Sequence, residues 1–336
     1  MPKILFLNSP KNDFLADSFL IGLKTLYPNS VWEWPKNQFI YKKEQQENSS
    51  RMHGIGFTLY NLLQPENALE FNEGMDISGF DLIIFGDIYR QATQFLKLRP
   101  HLNVRIAIIL DGEDTAATFP YYFAPWKKPY SLFFPKPEKT FHYFKREIIP
   151  ARTNYYRFFK LIPKSLAARI ALHQNILPIS FSIPNEKILV GDGPEKQKDF
   201  GRHIVDPEVC QNVPGAVSSY AFSMEEDYYH DLQISRFGIT MKRGGWDCLR
   251  HYEIAANGAV PCFRNLEDKP INCAPHGLVP GKNCISYQNW NDLQSKIAKI
   301  NPDEYAELRK RALNWANEME CSRLVKRTLD LHASRI

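Results

Sequence analysis

A glycine pair precedes several charged side chains in residues 242–263, which read KRGGWDCLRHYEIAANGAVPCF. Gly244 and Gly245 permit a close approach of a ligand to the backbone. Asp247 is a favourable N-cap residue, which predicts a helix over about 246–257. The N-terminus of such a helix offers unpaired N–H groups and the positive end of a dipole. This arrangement could bind an anion such as a diphosphate.

Two charged residues of the predicted helix lie on one face, three residues apart. Arg250 could make a bidentate contact with the anion. Glu253 could accept hydrogen bonds from the hydroxyls of a ribose or of another sugar. Alternatively the two side chains pair with each other, an interaction that contributes only about 0.3 kcal/mol at a surface. The residues alone leave both interpretations open.

Three acidic residues follow apolar runs in the first third of the chain. DLIIFGD ends at Asp87, and VRIAIILDGED contains Asp111 and ends at Asp114. Runs of this kind, separated by helical patterns, predict a parallel sheet, and ligands bind at the carboxyl ends of its strands. A carboxylate there could act as a general base or hold a divalent cation, although Asp-Gly is also a frequent turn pair.

The length and composition favour a globular protein of one large or two ordinary domains. The chain has 336 residues, 44% of them hydrophobic, and strand and helix patterns resume after 176–187, which predicts two α/β units. Six cysteines without a C-x-x-C pair, and an N-terminus unlike a signal peptide, favour free thiols in a reducing cytoplasm. Because no apolar run reaches roughly 20 residues, a membrane contact would be peripheral.

Basic and aromatic residues are concentrated over 127–169, where the chain has eleven Lys or Arg and two acids. Such a mixture suits anionic lipid headgroups, phosphates or nucleic acid. The alternative is a solvated basic face whose aromatic rings lie in the core. The net charge of the chain, +5, is modest, and nucleic acid is not the expected partner.

Two further stretches hold residues that could contact an acceptor or a phosphate. HGIGFT places Gly54 and Gly56 in a G-x-G spacing, but no strand pattern precedes it, so the glycines could also be purely structural. YFKRE places Lys145 and Arg146 beside an aromatic pair, where they face either a cleft or solvent.

The stretch NCAPHGLVPGKNC (272–284) contains two cysteines and a histidine but lacks a fourth zinc ligand, so no metal site is predicted.

The C-terminal third of the chain contains YYHDLQISRFGITMKRGGWDCLRHYEIAANGAVPCF, followed by KNCISYQNWNDLQSKI and by two helical patterns. In order and spacing, this stretch of about 222–330 resembles the nucleotide-sugar-binding half of GT-B glycosyltransferases, including exostosin-like and group 1 members. The resemblance implies an α/β fold of two Rossmann-like domains that face each other across a cleft. It implies an acceptor-binding domain over 1–180, a nucleotide-sugar-binding domain over 181–315, and a C-terminal helix over 316–336 that packs back on the first domain.

The resemblance also implies roles for the residues of the glycine stretch. Glu253 is similar to the family carboxylate that holds the ribose hydroxyls of the donor. Arg250 and the preceding loop are similar to the contacts that hold the diphosphate. The residues of that loop are Lys242, Arg243, Gly244 and Gly245.

One departure from the family pattern bears on the mechanism. Many retaining members carry a second glutamate eight positions before the first, where this chain has Gly245. The departure favours an inverting displacement, in which a base from the first domain deprotonates the acceptor hydroxyl. Asp111 is the first candidate for that base, followed by Asp114 and then Asp87.

The resemblance implies transfer of a sugar from a nucleoside diphosphate sugar to a hydroxyl of a glycan or lipid-linked glycan. It implies no cofactor besides this co-substrate and no essential metal. The expected location is the cytoplasm, where residues 127–169 could contact the inner face of the membrane. Two alternatives remain: a sugar-nucleotide or glycan-binding protein without catalysis, and a basic surface binder of anionic lipid or nucleic acid.

Overall fold

The protein folds into two parallel β-sheets with helices packed against them. A computed structural model describes residues 1–9, 11–42, 56–65, 68–72, 76–120, 133–149 and 173–336. Gly54 and most of the basic, aromatic stretch over 127–169 lie outside these residues, so what was predicted for them stays a prediction. The α/β class, with parallel strands in two sheets, is confirmed.

The first sheet has seven strands within the described residues, in the order β3-β2-β1-β4-β5-β6-β7, which is typical of a doubly wound fold. Ile4 and Phe6 pack into the core on one face of the sheet, and Leu5 and Leu7 into the core on the other. Because both faces are buried, the central strands Ile4–Leu7 and Leu82–Phe85 are continuous apolar runs. The strands are β1 (Ile4–Leu7), β2 (Val31–Trp34), β3 (Leu69–Glu70), β4 (Leu82–Phe85), β5 (Ala107–Asp111), β6 (His142–Lys145) and β7 (Ile176–Pro178).

Helices α1 (Phe14–Leu26) and α2 (Ala92–Leu98) cover the two faces of this sheet. Asp13 begins α1, because its carboxylate accepts a hydrogen bond of 2.9 Å from the N–H of Ala16. This cap satisfies one of the N–H groups that a helix leaves unpaired at its start. Asp13 therefore lies at the carboxyl edge of the sheet, shortly after β1 ends.

The second sheet has four parallel strands in the part of the chain that the structure describes, in the order β11-β10-β9-β8. Its strands are β8 (Lys198–Phe200), β9 (Ser235–Met241), β10 (Val260–Arg264) and β11 (Ile285–Tyr287). Its helices are α3 (Pro207–Asn212), α4 (Glu225–Gln233), α5 (Leu249–Ala256), α6 (Trp290–Ala298) and α7 (Pro302–Glu318). Among the described residues, no helix is long and apolar enough to cross a bilayer.

The last helix, α8 (Cys321–Ala333), leaves the second sheet and packs against α1 of the first. Gly22 of α1 makes this contact possible. A Cβ added at Gly22 would lie 2.6 Å from the carbonyl carbon of Cys321 and 2.8 Å from a methyl group of Val325. Neither distance leaves room for a side chain, so the two helices touch through backbone atoms.

We expect Gly22→Ala to lower the free energy of unfolding by about 1–3 kcal/mol, because the added methyl group forces α8 away from α1. In a helix without such a contact, alanine is more favourable than glycine by about 1 kcal/mol. The sign of the change in the free energy of unfolding therefore distinguishes a close contact of the two helices from an open one. Urea denaturation measures the effect. Thr25→Ala, on the exposed side of the same helix, is the control and should change stability little. Stabilisation by Gly22→Ala would contradict the close contact of α1 and α8.

Candidate functional site

A small cavity lies between the two sheets and is lined from both sides. Its volume is about 150 Å³. Phe14 and Phe57 line it from the first half of the chain, and Arg250 and Glu253 line it from α5. The remaining lining residues are His203, Tyr220, Ala221, Phe222, Tyr228, Cys248 and Leu249. The cavity thus brings together the predicted donor-binding helix and residues from the first half of the chain that were not predicted.

Helix α5 starts later than predicted, and Asp247 is not its N-cap. The helix covers Leu249–Ala256, with Cys248 at the N-cap position. The Asp247 carboxylate instead accepts hydrogen bonds of 2.8 Å from the N–H of Phe181 and from the hydroxyl of Tyr252. Burial raises the pKa of Asp247 to about 6, while the charge of Arg146 opposes the rise. The side chain therefore joins α5 to the segment that follows β7 rather than capping the helix.

The glycine pair before α5 lies against carboxylates of the first half of the chain. A Cβ on Gly245 would lie 2.5 Å from Glu147 Oε1 and 2.9 Å from Asp114 Oδ1, and a Cβ on Gly244 would also clash with Asp114. Glu147 Oε1 accepts a hydrogen bond of 2.6 Å from the N–H of Trp246. In this structure the missing side chains therefore make room for protein carboxylates rather than for a ligand.

The guanidinium of Arg250 lines the cavity next to an imidazole and a thiol. It lies 3.5 Å from His203 Nε2 and 3.8 Å from Cys248 Sγ. No carboxylate of the described residues is within 4 Å of it, so the alternative of an Arg250–Glu253 ion pair does not apply. Burial, followed by the charge of Arg250, lowers the pKa of His203 to about 4, which keeps this imidazole neutral at neutral pH. Lys242 and Arg243 are exposed on the preceding loop.

Glu253 is buried and bonded through both carboxylate oxygens. Oε2 accepts a hydrogen bond of 2.9 Å from the hydroxyl of Tyr228, and Oε1 accepts one of 2.5 Å from the hydroxyl of Thr58. Burial raises the pKa of Glu253, and the bond from Thr58 and the charge of Arg250 oppose the rise. The carboxylate therefore accepts hydrogen bonds from two hydroxyl groups of the protein, and its predicted role towards a ribose stays a prediction.

Asp111 is buried in an ion pair and does not face the cavity. The Lys145 ammonium lies 2.9 Å from Asp111 Oδ2, and both side chains have no exposed surface. The hydroxyl of Tyr143 donates a second bond of 2.6 Å to the same oxygen. A carboxylate paired in this way cannot reach an acceptor hydroxyl, so the geometry argues against Asp111 as the base. For the same reason Lys145 faces neither a cleft nor solvent.

The other predicted acids are also paired with arginines. Asp87 is buried and pairs with Arg90. Asp114 is half exposed, and its Oδ1 lies 2.7 Å from a guanidinium nitrogen of Arg146. Arg146 itself is buried, so it is exposed neither to solvent nor to an acceptor. Gly56 has a φ of 78°, a left-handed conformation that favours glycine, and it precedes Phe57 of the cavity wall.

Asp13 was missed by the sequence analysis and is the acid whose surroundings best suit a base. It is partly exposed, and Phe14, the next residue, lines the cavity. Burial and the nearby Asp87 charge raise its pKa to about 6, while the Ala16 N–H bond lowers it. Gly112 allows this position, because a Cβ there would lie 2.8 Å from Asp13 Oδ1. The sequence pattern that could have identified it is an aspartate at a predicted N-cap position shortly after an apolar strand.

Aromatic side chains form the far wall of the cavity, and the sequence analysis missed them too. The rings of His203 and Tyr220 stack with their centroids 5.8 Å apart and an angle of 11° between their planes. Tyr220 is 59% exposed, so one face of this pair is open. Within the described residues, no group of three or more His, Cys, Asp or Glu side chains is arranged to hold a metal ion.

Comparison with known proteins defines the fold. No family model and no curated protein matches the chain. HepE from Anabaena, solved with UDP and glucose, aligns at 9% identity with a TM-score of 0.55, over 99% of this chain and 100% of HepE. A glycosyltransferase from Rickettsia africae ESF-5 aligns at 8% identity with a TM-score of 0.54, over 98% and 97% of the two chains.

A third solved structure, sucrose-phosphate synthase from Thermosynechococcus elongatus, aligns at 8% identity with a TM-score of 0.52, over 100% of this chain and 99% of that protein. The chain therefore has the GT-B glycosyltransferase fold, as the sequence resemblance implied. The two parallel sheets and the cavity between them are consistent with this fold.

We expect Lys145→Met to lower the free energy of unfolding by about 3–5 kcal/mol, because it leaves the Asp111 charge buried and unpaired. Adding Asp111→Asn should restore part of the loss, since it removes that charge. Chemical denaturation measures both variants. Arg236→Met, which breaks the exposed pair with Asp199, is the control and should cost at most about 1 kcal/mol. An equally small loss in Lys145→Met would mean that Asp111 is not held as described.

Proposed function

We propose that the protein transfers a sugar from a nucleoside diphosphate sugar to a hydroxyl of a glycan or lipid-linked glycan, with inversion. The observation that carries the proposal is the Arg250 guanidinium in the cavity, with no carboxylate of the described residues beside it. A half-buried cation without a counter-ion is a favourable place for an anion. HepE, which shares the fold, was crystallised with UDP and with UDP-glucose.

The diphosphate is assigned to the start of α5. Arg250 lies in the first turn of this helix, whose N-terminal dipole favours negative charge. Lys242 and Arg243 are exposed on the loop before it and add positive charge. Positive charge at this point stabilises the leaving diphosphate, because the reaction develops negative charge on it.

The nucleoside is assigned to Glu253 and to the aromatic wall. The carboxylate of Glu253 accepts hydrogen bonds from hydroxyl groups in the structure, and the ribose of a nucleotide supplies two such groups. The stacked pair of His203 and Tyr220 offers a flat, partly exposed ring surface. Such a surface suits the face of a nucleobase, which stacks on aromatic rings.

The base that accepts the proton is assigned to Asp13. A carboxylate with a pKa of about 6 is ionised at neutral pH and is still basic enough to take a proton. No cation of the described residues lies within 4 Å of it, whereas Asp87, Asp111 and Asp114 are all in ion pairs. Asp13 therefore replaces Asp111 as the first candidate.

In the proposed reaction the acceptor oxygen forms a bond to the anomeric carbon of the donor sugar. The bond from that carbon to the diphosphate oxygen breaks, and its electron pair leaves with the nucleoside diphosphate. The acceptor proton moves to the Asp13 carboxylate. Arg250 stabilises the charge on the leaving diphosphate, so the two residues act on opposite ends of one displacement.

We expect Arg250→Met to weaken nucleotide binding by about 10-fold to 100-fold, because it removes a charge-assisted hydrogen bond worth about 1.5–3 kcal/mol. Thermal unfolding against a panel of nucleoside diphosphates and their sugars measures this. A nucleotide at 100 times its Kd should stabilise the wild type by about 2.7 kcal/mol. Arg236→Met, which replaces an arginine of β9, is the control and should keep the full shift of the unfolding temperature. Absence of a shift with every nucleotide would contradict the proposal.

We expect kcat/KM of the wild type to rise with pH through about 6 and then to level off, because Asp13 acts in its ionised form. Asp13→Asn should lower kcat by about 100-fold to 10,000-fold and remove this acid limb. Asparagine caps a helix as well as aspartate, so α1 and the Kd of the nucleotide should be unchanged. A protein that binds the nucleotide but transfers no sugar at any pH would be a binding protein without catalysis, which is the rival hypothesis.

A further inference from the structure

Residues 57–60, which we call the strap, extend from the first half of the chain to the second sheet's helices. At one end the Phe57 ring stacks on Tyr228 of α4, with centroids 6.1 Å apart. At the other end the Tyr60 hydroxyl accepts a hydrogen bond of 3.0 Å from Asn12, next to Asp13. The strap therefore touches both the proposed nucleoside site and the neighbourhood of the proposed base.

Thr58, in the middle of the strap, is buried among polar groups of the second half of the chain. Its hydroxyl donates to Glu253 Oε1 at 2.5 Å and lies 2.7 Å from the hydroxyl of Tyr229, which therefore donates to it. Its N–H donates to Glu225 Oε1 at 2.5 Å. Glu225 is in turn paired with Lys187 at 2.6 Å.

The Thr58 hydroxyl occupies the position in which the proposed function would put a ribose hydroxyl. Glu253 already receives one hydrogen bond on each oxygen, and it is 8% exposed. The cavity beside it measures about 150 Å³, whereas ligand sites usually measure about 300–1,000 Å³. Phe57 forms part of the cavity wall, so moving the strap would enlarge the space beside Glu253.

The backbone of Thr58 makes this arrangement easy to displace. Its φ is 70°, a left-handed conformation that is rare for a β-branched residue. Such a conformation is strained and persists only where surrounding contacts hold it. The hydrogen bonds to Glu253, Tyr229 and Glu225 are those contacts. A ligand that competes for Glu253 removes the bond and also releases the strain.

We infer that the strap is a displaceable plug, in which the Thr58 hydroxyl stands in for a ribose hydroxyl on Glu253 until a nucleotide replaces it. This inference rests on the proposed function. It implies that the empty site is closed by the protein itself, and that donor binding moves residues next to the proposed base. Binding of the donor is thereby coupled to the first domain, where the acceptor is proposed to bind.

Thr58→Val tests the plug, because valine keeps the β-branched shape and the backbone strain but lacks the hydroxyl. We expect it to bind UDP, or GDP as a second probe, about tenfold more tightly than the wild type, as measured by titration calorimetry. Thr58→Ser, which keeps the hydroxyl, should resemble the wild type. Equal or weaker binding by Thr58→Val would overturn the inference and leave the proposed function intact. Binding of no nucleotide to either protein would overturn both.

Hydrogen exchange on the wild type provides a second test that needs no variant. The Thr58 amide is held by Glu225 in the empty protein, so it should exchange slowly. Saturation with the nucleotide that binds in the titration should accelerate its exchange at least tenfold if the strap is displaced. The amide of Leu20, inside α1, is the control and should not change. Unchanged protection of Thr58 in the complex would overturn the inference.

Discussion

The buried guanidinium of Arg146 connects the two halves of the protein, and the geometry of the site depends on it. It donates to the carbonyl of Gly112 at 3.0 Å and lies 2.7 Å from Asp114. It also donates to the carbonyl of Asp247 at 3.3 Å, just before α5. A buried cation must be paired on every side, so these partners cannot move independently. Arg146 thus links the first sheet to the segment just before the helix that carries Arg250.

Charged side chains near the site differ in whether they take part in an ion pair. Asp111 and Lys145 neutralise each other at the carboxyl edge of the first sheet, and their burial makes neither side chain available to a ligand. Arg250 lines the cavity, and Asp13 precedes Phe14 of the cavity wall. Among the described residues neither forms an ion pair within 4 Å, so the proposal assigns the ligand contacts to them. Charged residues of the same kind therefore differ in whether another side chain of the protein neutralises them.

Buried polar groups of a protein need hydrogen-bond partners. In this protein the first half of the chain supplies the partners. The Thr58 hydroxyl bonds to Glu253, and the Glu147 carboxylate accepts from the backbone before α5. The glycine pair lets Glu147 and Asp114 come this close. Polar groups that are proposed to bind a ligand thus also take part in the contacts between the two halves of the chain.

The sequence by itself determined the α/β class, the parallel strands and the helix that carries Arg250 and Glu253, because hydrophobic periodicity and turn residues act over a few neighbouring positions. It did not reveal that Asp111 is neutralised by Lys145, or that Asp247 bonds to Phe181 instead of capping α5. Thr58 and Glu253 are 195 positions apart, and only packing of the whole chain joins them. Which charges stay available to a ligand depends on such distant partners, so tertiary structure alone decided it.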